Sequence, residues 1–219
     1  MPKSPPDSNI TLGLDALARA CAPRGRVFVI SGPSGVGKDT VLDTMMALPD
    51  CPSGLVRCIT ATTRSPRPGE VNGMSYHFLE RSDFERRVQD NGFYEYVEYN
   101  GSLYGTPRAG LEQQRSGGVD VLLKIEVRGA AAVRSDLPEA TLAFIIPPSI
   151  AELERRLRGR GDSAETAVRE RLVIATSEME RAMEYDYVVV NDDPVRAARN
   201  LAAIITAERS RVPRPWSIA

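Results

Sequence analysis

The sequence predicts an α/β protein in which helices flank a mainly parallel β-sheet. Three observations predict this fold. Short apolar segments rich in β-branched residues alternate along the chain with helical segments, as in doubly wound sheets. A glycine-rich loop at residues 32–40 joins the first of these strands to a helix. A tyrosine-rich stretch, residues 64–107, interrupts the alternation and predicts a small mixed or antiparallel insert.

The composition supports a folded domain and argues against several classes of protein. Of the 219 residues, 42 % are hydrophobic and 26 % charged, which is close to the globular average. The net charge of −1 argues against a nucleic-acid partner, and no apolar run reaches the ~20 residues that a membrane helix needs. Three cysteines without CxxC spacing indicate reduced thiols, and we therefore expect a cytoplasmic protein. The single histidine, His77, argues against His-rich metal clusters and a Ser-His-Asp hydrolase.

The predicted strands of the main sheet follow one another at intervals long enough for a helix between them. Two of these helices have clear start signals. Ser149 and Glu152 form a capping box, and Asp193 before Pro194 is typical of a helix start; that helix is predicted to run to about Arg209. The segments predicted as buried strands are Val27–Ser31, Leu55–Thr60, Val119–Ile125, Leu142–Ile146 and Tyr187–Val190.

The insert contains two tyrosine-rich segments, Met74–Leu79 and Phe93–Tyr99, which are predicted to flank a short helix. Ser82 and Glu85 are the predicted cap of that helix. The aromatic residues could form the insert's own core. They could also line a cleft, because ligands often bind between two lobes.

The glycine-rich loop has the pattern of a P-loop. Its glycines let successive backbone amides surround phosphate oxygens, and Lys38 follows the last glycine, where it can reach the terminal phosphates. The helix that follows adds its positive N-terminal end. A plain glycine-rich turn is the alternative, but the lysine and the strand–loop–helix context favour phosphate binding. The predicted nucleotide-binding residues of the loop are Gly32, Pro33, Ser34, Gly35, Val36, Gly37, Lys38, Asp39 and Thr40.

One position of the loop departs from the usual pattern. Asp39 stands where a serine or threonine normally offers its hydroxyl to Mg²⁺. A carboxylate is a hard oxygen ligand, so Asp39 is the predicted metal-binding residue. It is also a negative charge beside the phosphates, and it could simply complement the helix N-terminus.

Two further groups of arginines are candidates for binding phosphate. Arg64 and Arg67 follow the second strand, at the end of the sheet that carries the P-loop, and prolines stiffen their loop. Six arginines lie between Arg155 and Arg171, on a segment that could close over a nucleotide. Solvated surface arginines and helix ion pairs are the alternative interpretation of both groups.

Taken together, these motifs resemble guanylate kinases, a family of P-loop nucleoside monophosphate kinases. The resemblance covers about residues 25–209. It depends on the P-loop, the block Thr62-Thr63-Arg64-Ser65-Pro66-Arg67-Pro68-Gly69-Glu70-Val71-Asn72-Gly73, and the shorter motifs Tyr104-Gly105-Thr106, Arg160-Gly161 and Asn191-Asp192. Lys124 is a second departure, because the family often has a carboxylate at this position, two residues before Glu126.

The resemblance implies a division of the chain. The family domain would span 25–209, followed by a tail at 210–219. Independently of the resemblance, residues 1–24 hold four prolines before any strand signal, which predicts a disordered leader in which Thr11–Ala22 could form a short helix. The core would comprise 25–63 and 108–209, the GMP-binding insert about 64–107, and a mobile helical lid about 152–171.

The resemblance also implies the roles of individual residues. The GMP phosphate would be held by Arg64, Arg67, Tyr76 and Tyr104. The guanine would be read or bordered by Thr60, Glu95, Thr106 and Glu126. Arg156, Arg160 and Arg171 would be lid arginines on ATP and, with Lys38 and Arg64, the catalytic residues; Asn191 would lie near the adenine. Guanine chemistry agrees, because one carboxylate such as Glu95 can accept from both N1–H and the 2-amino group.

The expected activity is Mg²⁺-dependent transfer of a phosphoryl group from ATP to GMP, or to dGMP, within purine nucleotide metabolism. Two alternatives remain at this point. Some guanylate-kinase-like domains are non-catalytic peptide-binding modules, but these commonly lose P-loop residues that this chain keeps. A P-loop kinase acting on a sugar phosphate is the second alternative, and Glu95 with the tyrosines argues against it. The sequence leaves the oligomeric state open.

Overall fold

The computed structural model describes residues 24–99, 101–159 and 165–211. The strands are β1 (Val27–Ser31), β2 (Leu55–Arg57), β3 (Ala61–Thr62), β4 (His77–Phe78), β5 (Phe93–Tyr99), β6 (Ser102–Pro107), β7 (Asp120–Lys124), β8 (Thr141–Ile146) and β9 (Tyr187–Val190). The α-helices are α1 (Lys38–Met46), α2 (Arg81–Gln89), α3 (Arg108–Ser116), α4 (Val127–Asp136), α5 (Ile150–Arg158), α6 (Glu165–Glu180) and α7 (Pro194–Arg209).

The main sheet has five strands in the order β2-β7-β1-β8-β9, and every neighbouring pair is parallel. Its central strand β1 is fully buried, and its side chains alternate between two cores. Phe28 and Ile30 face one core with α1 and α7, whereas Val27 and Val29 face the other with α3 and α4. This arrangement confirms the predicted parallel sheet flanked by helices.

A second sheet has four short strands in the order β4-β3-β6-β5. The pair β3–β4 is parallel and the other pairs are antiparallel, so the sheet is mixed. Phe84 of α2 stacks on Phe93 of β5 with 4.3 Å between ring centroids, and Ala61 and Leu103 complete this small core. Its strand β5 packs against α4 and so connects this sheet to the main domain.

Two strand predictions need correction. The predicted strand Leu55–Thr60 ends at Arg57 in the main sheet, and the chain then passes to β3 in the second sheet. The reason is visible in the hydrogen bonds: Cys58 N–H still donates to Leu122 of β7, whereas the Thr60 carbonyl accepts from His77 of β4. In Met74–Leu79 only His77–Phe78 is a strand, while the predicted segment Phe93–Tyr99 is confirmed as β5.

Two of the three predicted helix caps are confirmed. The Ser149 hydroxyl accepts from the Glu152 amide, and Asp193 Oδ1 accepts from the Arg196 amide ahead of α7. The predicted Ser82–Glu85 cap is wrong, since α2 begins one residue earlier, at Arg81, without a side-chain cap. Glu85 is instead held by Arg81, whose Nε donates to its Oε1 at 2.9 Å.

The helices of the predicted lid segment pack on each other. Leu153 and Leu157 of α5 contact Val168 and Ala175 of α6 in a small separate core. The predicted leader, its helix at Thr11–Ala22 and most of the tail lie outside the described residues, and the division of the chain into core, insert and lid stays a prediction. In the described part of the chain, no helix is long and apolar enough to cross a membrane.

Candidate active site

The phosphate loop lies between β1 and α1, where the carboxyl end of the central strand meets a helix N-terminus. Gly37, the residue before α1, has a φ of 94°, which is in the left-handed region that favours glycine. A Cβ at this position would lie 2.7 Å from Asn191 Nδ2. Conformation and space therefore both require glycine here, and the loop can curl with its amides facing inward.

Lys38 lies against the loop that it follows. Its Nζ donates to the carbonyls of Gly32 at 2.6 Å and Pro33 at 3.2 Å, and lies 4.0 Å from Glu126 Oε2. The side chain is only 10 % exposed. Burial lowers the pKa of Lys38, while the nearby carboxylates Glu126 and Glu178 act against this shift. Lys38 is thus a buried cation in contact with the backbone of the first residues of the loop.

Two predicted site residues support the loop through hydrogen bonds to its backbone. Asn191 Nδ2 donates to the Val36 carbonyl at 2.7 Å, and Arg156 Nη1 donates to the same carbonyl at 3.1 Å. Arg156 also donates from Nη2 to the Asn191 carbonyl at 2.9 Å and from Nε to Glu152 at 2.7 Å. Both residues contact the loop backbone directly, and Asn191 is buried. The sequence pattern did not indicate this supporting contact.

Asp39 is the second residue of α1, and its carboxylate forms an ion pair. Lys124 Nζ donates to Asp39 Oδ1 at 2.6 Å. Partial burial would raise the pKa of Asp39, but the hydrogen bond and charge of Lys124 outweigh it and lower that pKa. The two residues at which the sequence departs from the family pattern therefore contact each other. Thr40, the last predicted loop residue, is exposed.

The predicted acceptor-phosphate residues are partly brought together. Arg64 Nη2 donates to both carboxylate oxygens of Glu70, at 2.8 and 3.0 Å. The Arg64 guanidinium carbon lies 5.5 Å from the centre of the Tyr76 ring, and this ring lies 6.2 Å from that of Tyr104. The side chain of Arg67 is exposed, and its amide donates to Glu70 at 2.7 Å.

The predicted base-reading residues include a buried carboxylate. Glu95 of β5 is 7 % exposed, and its Oε1 accepts from the Thr106 hydroxyl of β6 at 2.7 Å. Burial raises the pKa of Glu95 to about 7, and the charge of Glu126 adds to this shift. A Cβ at Gly129 would lie 2.7 Å from Glu95 Oε2, so α4 approaches the carboxylate closely. Glu95 therefore lies where the second sheet meets the main domain.

The remaining predicted residues are less closely assembled. Thr60 is half-buried between β2 and β3, and Glu126 is the residue that precedes α4. Arg171 is half-buried on α6, and Arg160 lies outside the described residues.

Glu178 of α6 is a residue near the site that the sequence reasoning missed. Its buried Oε2 has no hydrogen-bond partner within the described ranges. Burial raises the pKa of Glu178, and the nearby Lys38 and the Ser34 amide oppose that shift. Glu178 lies seven residues, or about two turns, after Arg171, so both lie on one side of α6. This spacing from a predicted site residue was the signal in the sequence that could have identified Glu178.

Known proteins of one family are similar to this chain over most of its length. A model of the guanylate kinase family matches residues 24–208. The chain belongs to the guanylate kinase family. A guanylate kinase of Thermus thermophilus is 49 % identical over 191 residues, covering 87 % of this chain and 85 % of the relative. One from Synechocystis sp. is 45 % identical over 185 residues, covering 84 % of this chain and 95 % of the relative.

A solved structure supports the assignment at the level of the fold. The crystal structure of guanylate kinase from Anaplasma phagocytophilum superposes with a TM-score of 0.68 at 32 % sequence identity. The match covers 85 % of this chain and 87 % of that one. Membership of the guanylate kinase family accounts for both the P-loop and the second sheet.

Proposed function

We propose that the protein transfers the terminal phosphoryl group of ATP to GMP, giving ADP and GDP. The observation that carries this proposal is the buried Glu95 carboxylate, set in the second sheet beside Thr106, on a chain that also holds a P-loop with a buried lysine. A carboxylate at this place suits guanine, which presents two N–H donors on one edge. Family membership supports the same assignment.

On the donor side, the backbone amides of residues 32–40 bind the ATP phosphates and Lys38 neutralises their charge. Lys38 already has two carbonyl partners in the loop and can exchange one of them for a phosphate oxygen. Arg156 and Asn191 hold the loop in shape through the Val36 carbonyl. We assign Arg160 and Arg171 to the transferring phosphoryl group and place the adenine near Asn191.

On the acceptor side, Arg64 with Tyr76 and Tyr104 binds the GMP phosphate, and Arg67 joins them from the exposed loop. The Glu70 carboxylate fixes the Arg64 guanidinium through two hydrogen bonds. Glu95 accepts from guanine N1–H and the 2-amino group, while Thr60, Thr106 and Glu126 border the base. We expect dGMP to be a second, weaker acceptor.

Mg²⁺ is the proposed metal, and the residues present fit it. The described residues contain no group of three or more His, Cys, Asp or Glu that could hold a metal ion alone. Asp39 offers an exposed carboxylate at the loop, and Mg²⁺ is commonly bound by one or two carboxylates together with substrate phosphates and water. When bound with ATP, the metal neutralises charge on the phosphates.

The chain's own contribution to the reaction is positioning and charge stabilisation. Lys38 and the loop amides act on the donor, and Arg64 holds the acceptor in line with it; no covalent enzyme intermediate is involved. We propose the cytoplasm as the compartment, because Cys51 and Cys58, the cysteines in the described part of the chain, are free thiols.

The test is a comparison of acceptors. Purified protein with ATP and Mg²⁺ is offered GMP, dGMP, AMP, CMP and UMP separately, and ADP release is measured. We expect GMP to be phosphorylated fastest, dGMP more slowly, and the other three far more slowly. No ADP formation with any nucleotide, together with measurable peptide binding, would favour a non-catalytic module instead. Turnover with a sugar phosphate and not with GMP would favour the other P-loop kinase.

A further inference from the structure

An ion pair joins the first turn of α1 to the end of β7. Lys124 Nζ and Asp39 Oδ1 are 2.6 Å apart, although 85 residues separate them in the sequence. The parallel register places Lys124 opposite Ile30 of β1, at the carboxyl edge of the sheet from which the phosphate loop leaves. The lysine therefore stands beside the loop, on the side of the Asp39 carboxylate.

The pair brings two opposite charges to a place where a P-loop normally has a neutral hydroxyl. Asp39 alone would add a negative charge next to the phosphates of a nucleotide. Lys124 offsets this charge through its hydrogen bond to Asp39 Oδ1. Taken together the two side chains are neutral, as a serine would be.

The Asp39 carboxylate keeps one oxygen available. Lys124 binds Oδ1, and within the described residues Oδ2 accepts no hydrogen bond. The side chain of Asp39 is 65 % exposed and that of Lys124 is 36 % exposed, so solvent and ions reach both. A cation that arrives with a nucleotide can bind the same carboxylate. Lys124 then weakens the attraction between that cation and Asp39, because both positive groups interact with one negative charge.

We propose that the Asp39–Lys124 pair sets how strongly nucleotide binding depends on Mg²⁺. In this proposal, Asp39 supplies the carboxylate for the metal. Lys124 is a positioning residue that acts through Asp39, because it compensates the carboxylate's charge when the metal is scarce. The inference rests on the proposed role of the loop as the ATP site.

A purely structural role is the competing explanation. Aspartate in the first turn of a helix stabilises the helix by itself, and an exposed ion pair adds little. Substitutions would then change the melting temperature slightly and leave the balance between metal-free and metal-bound nucleotide affinity untouched.

The experiment measures ATP binding by isothermal titration calorimetry, once in EDTA and once in Mg²⁺, without GMP and therefore without turnover. The variants are Asp39→Asn, Lys124→Gln, the double variant and the conservative Lys124→Arg. Asp43→Asn is the matched control, because Asp43 lies one turn further along α1 and pairs with Arg57 at 2.8 Å. Thermal unfolding of each variant checks that it is folded.

In EDTA, we expect Lys124→Gln to weaken ATP binding and Asp39→Asn to strengthen it, each by about three- to tenfold, with the double variant close to wild type. The gain in affinity on adding Mg²⁺ should increase in Lys124→Gln and decrease in Asp39→Asn and in the double variant. Lys124→Arg and Asp43→Asn should behave as wild type.

Equal metal-free affinities across the four pair variants, or an unchanged gain from Mg²⁺ in Asp39→Asn, would overturn the inference while leaving the ATP site intact. A wild-type protein that binds no ATP under either condition would instead overturn the proposed function.

Discussion

The phosphate loop is one continuous segment between β1 and α1, whereas the proposed GMP region draws its side chains from several elements of the second sheet and its loops. Backbone groups define the first region, and buried contacts from Asn191 and Arg156 hold it. Side-chain pairs define the second, namely Arg64 with Glu70 and Thr106 with Glu95. A continuous loop can serve any acceptor, while separate pairs can each be tuned to one part of GMP.

This difference predicts that substitutions in the two regions will affect different kinetic properties. Changes in the loop should lower turnover equally for every acceptor nucleotide. Changes around Glu95 should alter the choice of base, and changes around Arg64 should alter phosphate binding without altering base choice. Comparing GMP with IMP separates these effects, because IMP keeps the N1–H donor and lacks the 2-amino group.

The largest effect is expected from Lys38→Ala. The substitution removes the buried cation that we assign to the ATP phosphates, and kcat should fall by about 10²–10³-fold because charge that develops during transfer is no longer stabilised. The fall should be the same for GMP and IMP. Steady-state ADP release with each acceptor measures it.

Lys38→Met serves as a second variant that keeps most of the side-chain volume, and the melting temperature of both should stay close to that of wild type. Near-normal kcat in folded Lys38→Met would contradict the assigned role of the lysine. A larger loss with IMP than with GMP would show that the donor and acceptor regions are not independent.

Glu95→Gln is expected to have the next largest effect, which falls on the use of GMP and on the choice of base. Glutamine cannot accept from both guanine donors with the strength of a carboxylate, so kcat/KM for GMP should fall about ten- to a hundredfold. The ratio of kcat/KM values for GMP and IMP should shrink, because the contact with the 2-amino group is lost. Parallel rates with GMP, IMP and AMP measure both effects.

Glu98→Gln is the matched control for that substitution. Glu98 lies on the same strand, is exposed and pairs with Arg81. It should leave the preference among the three nucleotides unchanged. Identical preference ratios in wild type and Glu95→Gln would remove Glu95 from the base-binding site.

The same contrast explains what could be predicted from the sequence. The phosphate loop and the caps at Ser149 and Asp193 are local, since each depends on residues a few positions apart. Both caps are confirmed and the loop lies where it was predicted, but the equally local Ser82–Glu85 cap was wrong, because α2 begins at Arg81. The strand predicted at Leu55–Thr60 was wrong at its end, because the passage of the chain from one sheet to the other is decided by pairing with distant strands.

Contacts between distant residues account for what the sequence did not indicate. Asp39 and Lys124 were each recognised as unusual, but nothing in the sequence joins positions 85 residues apart. Glu95 could be proposed through family resemblance, yet its burial and its pairing with Thr106 depend on the packing of β5, β6 and α4.

The pH dependence of GMP use should report the Glu95 carboxyl. Because burial raises its pKa from 4.5 to about 7, this group is protonated at pH 6 and then cannot accept from both guanine donors. We expect kcat/KM for GMP to rise about tenfold from pH 6 to pH 8 and to level off above the pKa. Glu95→Gln should flatten this rise, and a persistent rise in that variant would assign it to another group.

Stability should change in the opposite direction over the same range. The folded protein keeps a proton on Glu95 that the unfolded chain releases above about pH 4.5, so this group's contribution to stability is complete below that pH. The contribution is lost as the pH rises through about 7. The melting temperature of wild type relative to Glu95→Gln should therefore decrease between pH 5 and pH 8.

The smallest effect is expected from Glu70→Gln. Glu70 holds the Arg64 guanidinium with both oxygens and also accepts from the Arg67 amide, so it orients the group that we assign to the GMP phosphate. Its loss should raise KM for GMP and for IMP by the same factor, about two- to fivefold, and leave KM for ATP unchanged.

Glu85→Gln, which removes the carboxylate of the exposed ion pair with Arg81 on α2, is the control and should leave all three KM values unchanged. Equal factors for GMP and IMP in Glu70→Gln are essential, because they show that Arg64 acts on the phosphate they share and Glu95 on the base in which they differ. A decrease in KM for both nucleotides would contradict this role of Glu70. It would show that the Glu70 carboxylate competes with the GMP phosphate for Arg64, so that the ion pair weakens GMP binding and does not prepare Arg64 for it.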